Sequence, residues 1–412
     1  MRPARKRWLM VLGASGLVLG AGGLAGCAGH GKYTKEGISL AQQRLNALKA
    51  ASEYDMAHQA FLAGDLDKAM RKTDAALSLT EENPVVHVLR GRIHIERGEM
   101  GEALVSLRRA VELDAKSVEG QYYLGVVNER LNEREEALDH FRAAAELDEY
   151  NPQYPIAAGE TLIDMGKLDE AEAYLNGSPA ADSSAGIQQL LGHIAMIDGR
   201  VDEACDLFNK ARLLAPEDGA ILEDQATAQI AAGRCAEAEQ NLEHLLRDPD
   251  NAGRRDLLHM RAECLMSLNR PVEAREIYRR LTKKDGSADA QAWVGLGRTA
   301  YTLEDDKTLR EAASRVVSID PTNADGYVLW AMWHREQGDP KAALAKLDAG
   351  LMRAGRDSEL LAVRAIVLSE LGRRAEALTA AQAALDLDPK SESARTLLDM
   401  LGRVAVSSVP VE

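Results

Sequence analysis

The chain has 412 residues, of which 46% are apolar, 28% charged and only 4% aromatic. That balance sustains a packed core, excludes global disorder, and favours close-packed helices over sheets. The formal net charge of −15 opposes phosphate backbones, so no nucleic-acid partner is expected.

Residues 1–26 open with Arg2, Arg5, Lys6 and Arg7, continue as an apolar run from Trp8 to Leu19, and end in small residues. Charge, apolar stretch and small residues in that order mark a secretory signal peptide; the run is too short and too glycine-rich to span a bilayer. Its removal leaves 46 basic against 65 acidic side chains, a balance of −19. Leu24-Ala25-Gly26-Cys27 resembles the lipobox of bacterial lipoproteins. The resemblance implies that Cys27 is diacylated, becomes the first residue, and gains a further palmitate-type chain on its amine. Several acyl chains anchor durably where one is marginal. Ala28, in place of Asp, implies by the same resemblance an outer-membrane anchor facing the periplasm. Residues 27–36 then read as a lipidated tether, and 37–49 as a helical extension on the rhythm Ile38, Ala41, Leu45, Leu48.

From residue 50 onward the sequence repeats itself. The pattern Gly-x-x-x-x-Ala appears as GDLDKA at 64–69 and returns with its alanine at 103, 137, 171, 204, 238, 274, 343 and 377; Asn132 and Asn269 replace the glycine in two copies. Twelve residues before each alanine stands another small residue: Ala57, Gly91, Gly125, Gly159, Gly192, Ala226, Ala262, Ala331 and Ala365. One further copy keeps Gly297 but has Leu309 for the alanine, with Glu304-Asp305-Asp306 at its turn. Ten units thus begin near 50, 84, 118, 152, 185, 219, 255, 290, 324 and 358. Each predicts two helices of roughly 12–14 residues joined at the Gly or Asn. The small residues mark where the two helices cross; a Leu there would overpack by ~1–3 kcal/mol.

This pattern resembles the tetratricopeptide repeat. Leu124-Gly125, Leu191-Gly192, Leu296-Gly297, Trp293, the pairs Ala137/Phe141 and Ala204/Phe208, and the closing Asp320-Pro321 and Asp388-Pro389 carry the likeness. It implies an all-α, right-handed α-solenoid of about ten helix pairs, with repeats 1–4 over 50–184 and repeats 5–10 over 185–390. Ser391 can start a capping helix over 391–402, with Leu397, Leu398 and Leu401 on one face, and 403–412 reads as a tail. Asn176-Gly177-Ser178-Pro179 cuts the fourth second helix short; with Asp182-Ser183-Ser184 it reads as a loose junction and a candidate hinge.

Motifs for catalysis are missing: there is no HExxH, P-loop or GxSxG, and nothing asks for a metal or cofactor. His87 and His94 share a helical face nearly two turns apart with no completing ligand, so both read as packed or solvated. Cys235 and Cys264 fall on helices that should be antiparallel neighbours; a disulfide between them and a pair of buried thiols both fit. Cys205 reads as a packed small residue. Arg275, Arg279, Arg280, Lys283 and Lys284 form the largest basic cluster, expected on a solvated face.

By the resemblance, first helices line a concave groove that holds a protein or peptide. The groove positions are Val88, Arg92, Ile95, Tyr122, Val126, Glu129, Ile156, Glu160 and Ile163, then His193, Met196, Glu223, Glu263, Arg298, Tyr301, Val328 and Met332. A mixed apolar and acidic surface suits an extended segment or amphipathic helix with basic and apolar side chains. The Lys and Asn of a carboxylate clamp are missing from Val88, Arg92, Tyr122, Val126, Ile156 and Glu160. The expected role is a non-catalytic, membrane-anchored periplasmic scaffold for an envelope complex of pilus or secretin type. A scaffold in exopolysaccharide export is the alternative, an enzyme using groove carboxylates a minor one, and the oligomeric state stays open.

Overall fold

A computed structural model describes residues 32–391 and 394–400. The signal segment 1–26, Cys27, Ala28, Leu401 and the tail 403–412 lie outside the described residues. Among the described residues every regular element is helical, so the all-α expectation holds. No helix there is long and apolar enough to cross a membrane.

The chain divides into two compact units, Met1–Leu131 and Asn132–Glu412. In the first unit, α1 (Lys32–Leu62) pairs with α2 (Leu66–Leu79), α3 (Pro84–Arg97) pairs with α4 (Met100–Leu113), and α5 (Val118–Arg130) follows. The second unit opens with α6 (Arg134–Leu147), then α7 (Gln153–Asp164) and α8 (Leu168–Asn176), α9 (Ala185–Ile197) and α10 (Val201–Leu214), α11 (Gly219–Ala231) and α12 (Cys235–Arg247). It continues with α13 (Arg255–Ser267) and α14 (Pro271–Leu281), α15 (Ala290–Thr302) and α16 (Asp306–Ile319), α17 (Ala324–Glu336) and α18 (Pro340–Arg353), α19 (Ser358–Glu370) and α20 (Arg374–Leu387). A last helical turn pair, α21, covers 394–400.

Local chemistry sets each hairpin. First helices stop at a left-handed residue: Gly64, Gly98, Gly166, Gly199, Gly233, Gly338 and Gly372 have φ between +72° and +76°. Glycine adopts that conformation without a Cβ penalty. Asn132 (+63°) and Asn269 (+56°) serve in two turns, and Glu304 (+54°) in the eighth repeat. Side chains cap many of the next helix starts: Asp65 accepts from Lys68 N at 3.0 Å, and Asp339 from Ala342 N at 2.9 Å.

Packing then closes the pair. All nine motif alanines are fully buried, and at Gly91, Gly159 and Gly192 the large residue four further along the second helix fills the space under the first. A Cβ on Gly91 would sit 2.5 Å from Leu107, and one on Gly192 would sit 2.7 Å from Phe208. Any larger residue there would push the helices apart. In the eighth repeat Leu309 and Ala313 are both buried, and Gly297 faces Leu329 and Ala312 instead.

The junction after α8 differs from the loose hinge expected of it. The helix is short, nine residues, yet Ala180 and Ala181 are buried and Gln188 Nε2 donates to the Ala181 carbonyl at 2.9 Å. Burial and that bond hold the segment against α9. The division between compact units falls instead at Leu131/Asn132, in the third turn. At the far end, Ser391 Oγ accepts from Ala394 N at 3.4 Å, and Ala394 and Leu397 of α21 are buried against the last hairpins.

Candidate peptide-binding faces

First helices of successive hairpins touch one another. In the first unit α1 meets α3 and α3 meets α5; in the second, α7 meets α9, α13 meets α15, α15 meets α17 and α17 meets α19. Side chains on these first helices therefore share a face across each such contact.

On the first unit's face, the Arg92 guanidinium lies between two rings, 5.0 Å from the centroid of Phe61 and 4.9 Å from that of Tyr123. Each such contact contributes ~0.5–1 kcal/mol. Arg92 forms no ion pair among the described residues, whereas Arg90 and Arg97 reach Asp74 and Asp67. Tyr122 packs edgewise on Tyr123, centroids 5.2 Å apart. Burial first, and then the Glu119 carboxylate, push the phenols of Tyr54 and Tyr123 above their ordinary range, with Arg92 opposing. The face thus presents a clamped cation, neutral phenols and apolar edges.

The second unit's face is charged, but its charges are mostly satisfied internally. Asp224 accepts from Gln189 (2.7 Å) and pairs with His193 (2.8 Å), and Glu223 takes both guanidinium nitrogens of Arg254 at 2.6 and 2.7 Å. Arg298 bridges Asp325 (2.9 Å) and Glu359 (2.8 Å). Between α13, α15 and α17 lies a cavity of about 440 Å³ lined by Glu263, Met266, Tyr278, Gln291, Val294 and Arg298 among others.

The groove positions expected from sequence divide into two sets. Arg92, Tyr122, Val126, Ile156, Ile163, His193, Met196, Glu223, Tyr301 and Met332 are half-buried, and Glu129, Glu160, Glu263 and Arg298 are exposed. Val88, Ile95 and Val328 are not groove residues: each is at most 5% exposed and lies in the core. Val88 and Ile95 pack with Leu107 and Leu124, Val328 with Leu347 and Leu360. At these positions the first helix turns toward its neighbours rather than outward, and an apolar side chain gains more by joining that contact. Missed by sequence reasoning were Phe61, Tyr123, Asp224 and Tyr278. Tyr123 differs from Tyr122 by a single helical step, which an approximate register does not resolve. Tyr278 sits on a second helix four residues after Ala274, the same spacing as Ala137/Phe141 and Ala204/Phe208, and Gly295 marks where its ring passes the next first helix.

The remaining candidates are structural in their surroundings. His94 Nδ1 lies 2.6 Å from Glu99 and His87 Nε2 lies 2.9 Å from the Glu81 carbonyl. Cys235 and Cys264 lie in contact as free thiols; burial first, then Cys235, push the Cys264 thiol up to about 12. Cys205 is also free and buried. The three arginines of the basic cluster are engaged locally: Arg279 reaches Glu276 and Asp305, Arg275 reaches Glu276, and Arg280 donates to the Ala252 carbonyl. Among the described residues no three His, Cys, Asp or Glu side chains converge as a metal site.

A tetratricopeptide-repeat family model described as "TPR repeat" matches residues 91–132, and another described as "Tetratricopeptide repeat" matches 223–288 and 259–324. The mouse protein "Superkiller complex protein 3" is 33% identical over 90 residues, 21% of this chain and 6% of that one. The Arabidopsis thaliana "Protein CTR9 homolog" is 29% identical over 119 residues, 28% of this chain and 11% of that one. The chain thus spans a small fraction of the length of these relatives. A crystal structure of a tetratricopeptide repeat protein from Parabacteroides merdae superposes with a TM-score of 0.53 at 17% identity, covering 62% of this chain and 99% of that one. Helix order, repeat spacing and left-handed turns agree with these matches: the chain carries tetratricopeptide repeats, matched by family models over 91–132 and 223–324.

Proposed function

We propose that this chain is a non-catalytic, lipid-anchored scaffold in the periplasm, which grips segments of partner proteins along its first-helix faces and helps assemble an envelope machine of pilus or secretin type. The binding role is carried by Arg92, a cation held rigid between Phe61 and Tyr123 without an acid partner. A buried ion pair would serve stability alone; a guanidinium clamped between rings, with no ion pair among the described residues, is preorganised for an incoming carboxylate or carbonyl group. The anchoring role is supported by Leu24-Ala25-Gly26-Cys27 and Ala28.

The test is affinity capture of the detergent-solubilised full chain with crosslinking and mass spectrometry of the partners. Crosslinks on the first-helix faces, at envelope-assembly proteins, support the reading. Crosslinks confined to second helices overturn the binding face. Unchanged precursor processing under globomycin overturns the lipid anchor.

A further inference from the structure

The cavity between α13, α15 and α17 has a floor that comes from an unexpected direction. Tyr278 belongs to the second helix α14, yet its ring passes beneath α15 at Gly295. A Cβ at 295 would lie 2.3 Å from Cε1 and Cζ of that ring, so any side chain there would close the passage. The ring reaches the cavity lining while the residue as a whole is 3% exposed. Its hydroxyl makes no hydrogen bond with any described residue. The oxygen itself is not sealed off, and its open side is the cavity.

Charge around the cavity is unevenly satisfied. Arg298 is already committed to Asp325 and Glu359. Glu263 forms no ion pair among the described residues; it receives only a long bond from Gln291 Nε2 at 3.4 Å. An incoming carboxylate would be repelled by Glu263, whereas an incoming cation would pair with it. Met266 and Val294 supply apolar wall beside these polar groups, the combination that suits an aliphatic stem ending in a charge.

We propose that this cavity takes a lysine or arginine side chain from an extended partner segment, with Glu263 as counter-ion, the Tyr278 hydroxyl as a second acceptor, and Met266 and Val294 against the stem. Burial, then Glu263, hold the Tyr278 phenol protonated, so it is a neutral acceptor at ordinary pH. This inference rests on the reading of the chain as a peptide-binding scaffold.

The test uses the full chain in detergent micelles with four fluorescein-labelled libraries of 12-residue peptides. All carry Leu and Ser mixtures, with Lys, Arg, Gln or Glu fixed at the centre. The wild type is expected to bind the Lys and Arg libraries about tenfold more tightly than the other two. Glu263→Gln and Tyr278→Phe should each reduce that preference at least threefold. Because the hydroxyl bonds no described residue, Tyr278→Phe should leave thermal stability unchanged, which separates recognition from a structural role. Equal binding of all four libraries, preference for Glu, or a wild-type preference in both variants overturns the inference while leaving the scaffold intact. Failure of every library to bind overturns the scaffold reading with it.

Discussion

Leu309 and Ala313 on α16 carry their large and small side chains in the reverse order to the other second helices. In most of them alanine comes first and the large residue four later, as in Ala103/Leu107, Ala171/Leu175, Ala204/Phe208 and Ala343/Leu347, all buried, while α20 has Ala377/Ala381. In the eighth repeat the bulk moves one turn toward the helix start, and Leu329 of the next first helix fills the space at Gly297. Volume is conserved while its position is not.

That exchange predicts strong coupling. Leu309→Ala leaves a cavity and should cost ~2–5 kcal/mol, and Ala313→Leu overpacks by ~1–3 kcal/mol. The double exchange should be at least ~1 kcal/mol less harmful than the sum, because the two sites share one volume. Repeat arrays need not unfold as one step, so the readout is amide exchange within α15 and α16. Strict additivity would show that the two side chains do not compete for space.

Glu304 carries the turn between α15 and α16 at φ +54°, where seven other repeats place glycine. A β-carbon in that region costs ~1 kcal/mol. Glu304→Gly should therefore slow amide exchange at the start of α16 by about threefold or more, despite the flexibility it adds to the unfolded chain. Faster exchange in that variant would mean that Glu304 holds the turn through its side chain.

Much of this arrangement was readable beforehand, and the reason is physical. A helix crossing admits only small side chains, so Gly91, Gly159 and Ala103 recur in register and the first helices start at 84, 118, 185, 219, 255, 290, 324 and 358. Groove residues obey no such rule. Val88 and Arg92 lie about one turn apart on α3, yet Val88 is buried and Arg92 is clamped at the surface. A 3.6-residue period does not say which neighbour an exposed stripe will meet. Tyr278 holds the large position four after Ala274, but its passage beneath α15 depends on Gly295 in a different helix, which the repeat pattern does not specify.

The thiols offer a chemical check on burial. Cys264 is raised by burial first and by Cys235 next, and Cys205 is raised chiefly by burial. Cys235 is only half-buried. Since the thiolate is the reacting species, iodoacetamide at pH 8 should modify Cys235 at least tenfold faster than Cys264 or Cys205 in the native chain. Equal rates would place Cys264 in solvent. A loss of two hydrogens in a purified sample blocked before reduction would instead show the pair oxidised to a disulfide, as an oxidising compartment permits.

Asp289 gives a pH signature. It caps α15 by accepting from Ala292 N at 2.9 Å, and its other oxygen meets Arg255 and His259 Nε2, the latter at 3.1 Å. Burial alone would raise its pKa, but the capping bond, Arg255 and His259 together outweigh that and hold it below the usual carboxylate range. The folded chain therefore binds this proton less readily than the unfolded chain. The stabilisation is present above the unfolded value of about 3.9 and is lost as pH falls through the lowered folded value. Asp289→Asn keeps an acceptor for the cap but removes the charge, at a cost of about 1 kcal/mol at pH 7, since Arg255 is 43% exposed and screened. Protection of the first-turn amides of α15 should differ between wild type and variant at pH 6 and converge toward pH 2. A gap that stayed constant across that range would mean the carboxylate charge contributes nothing, leaving only the shape of the cap.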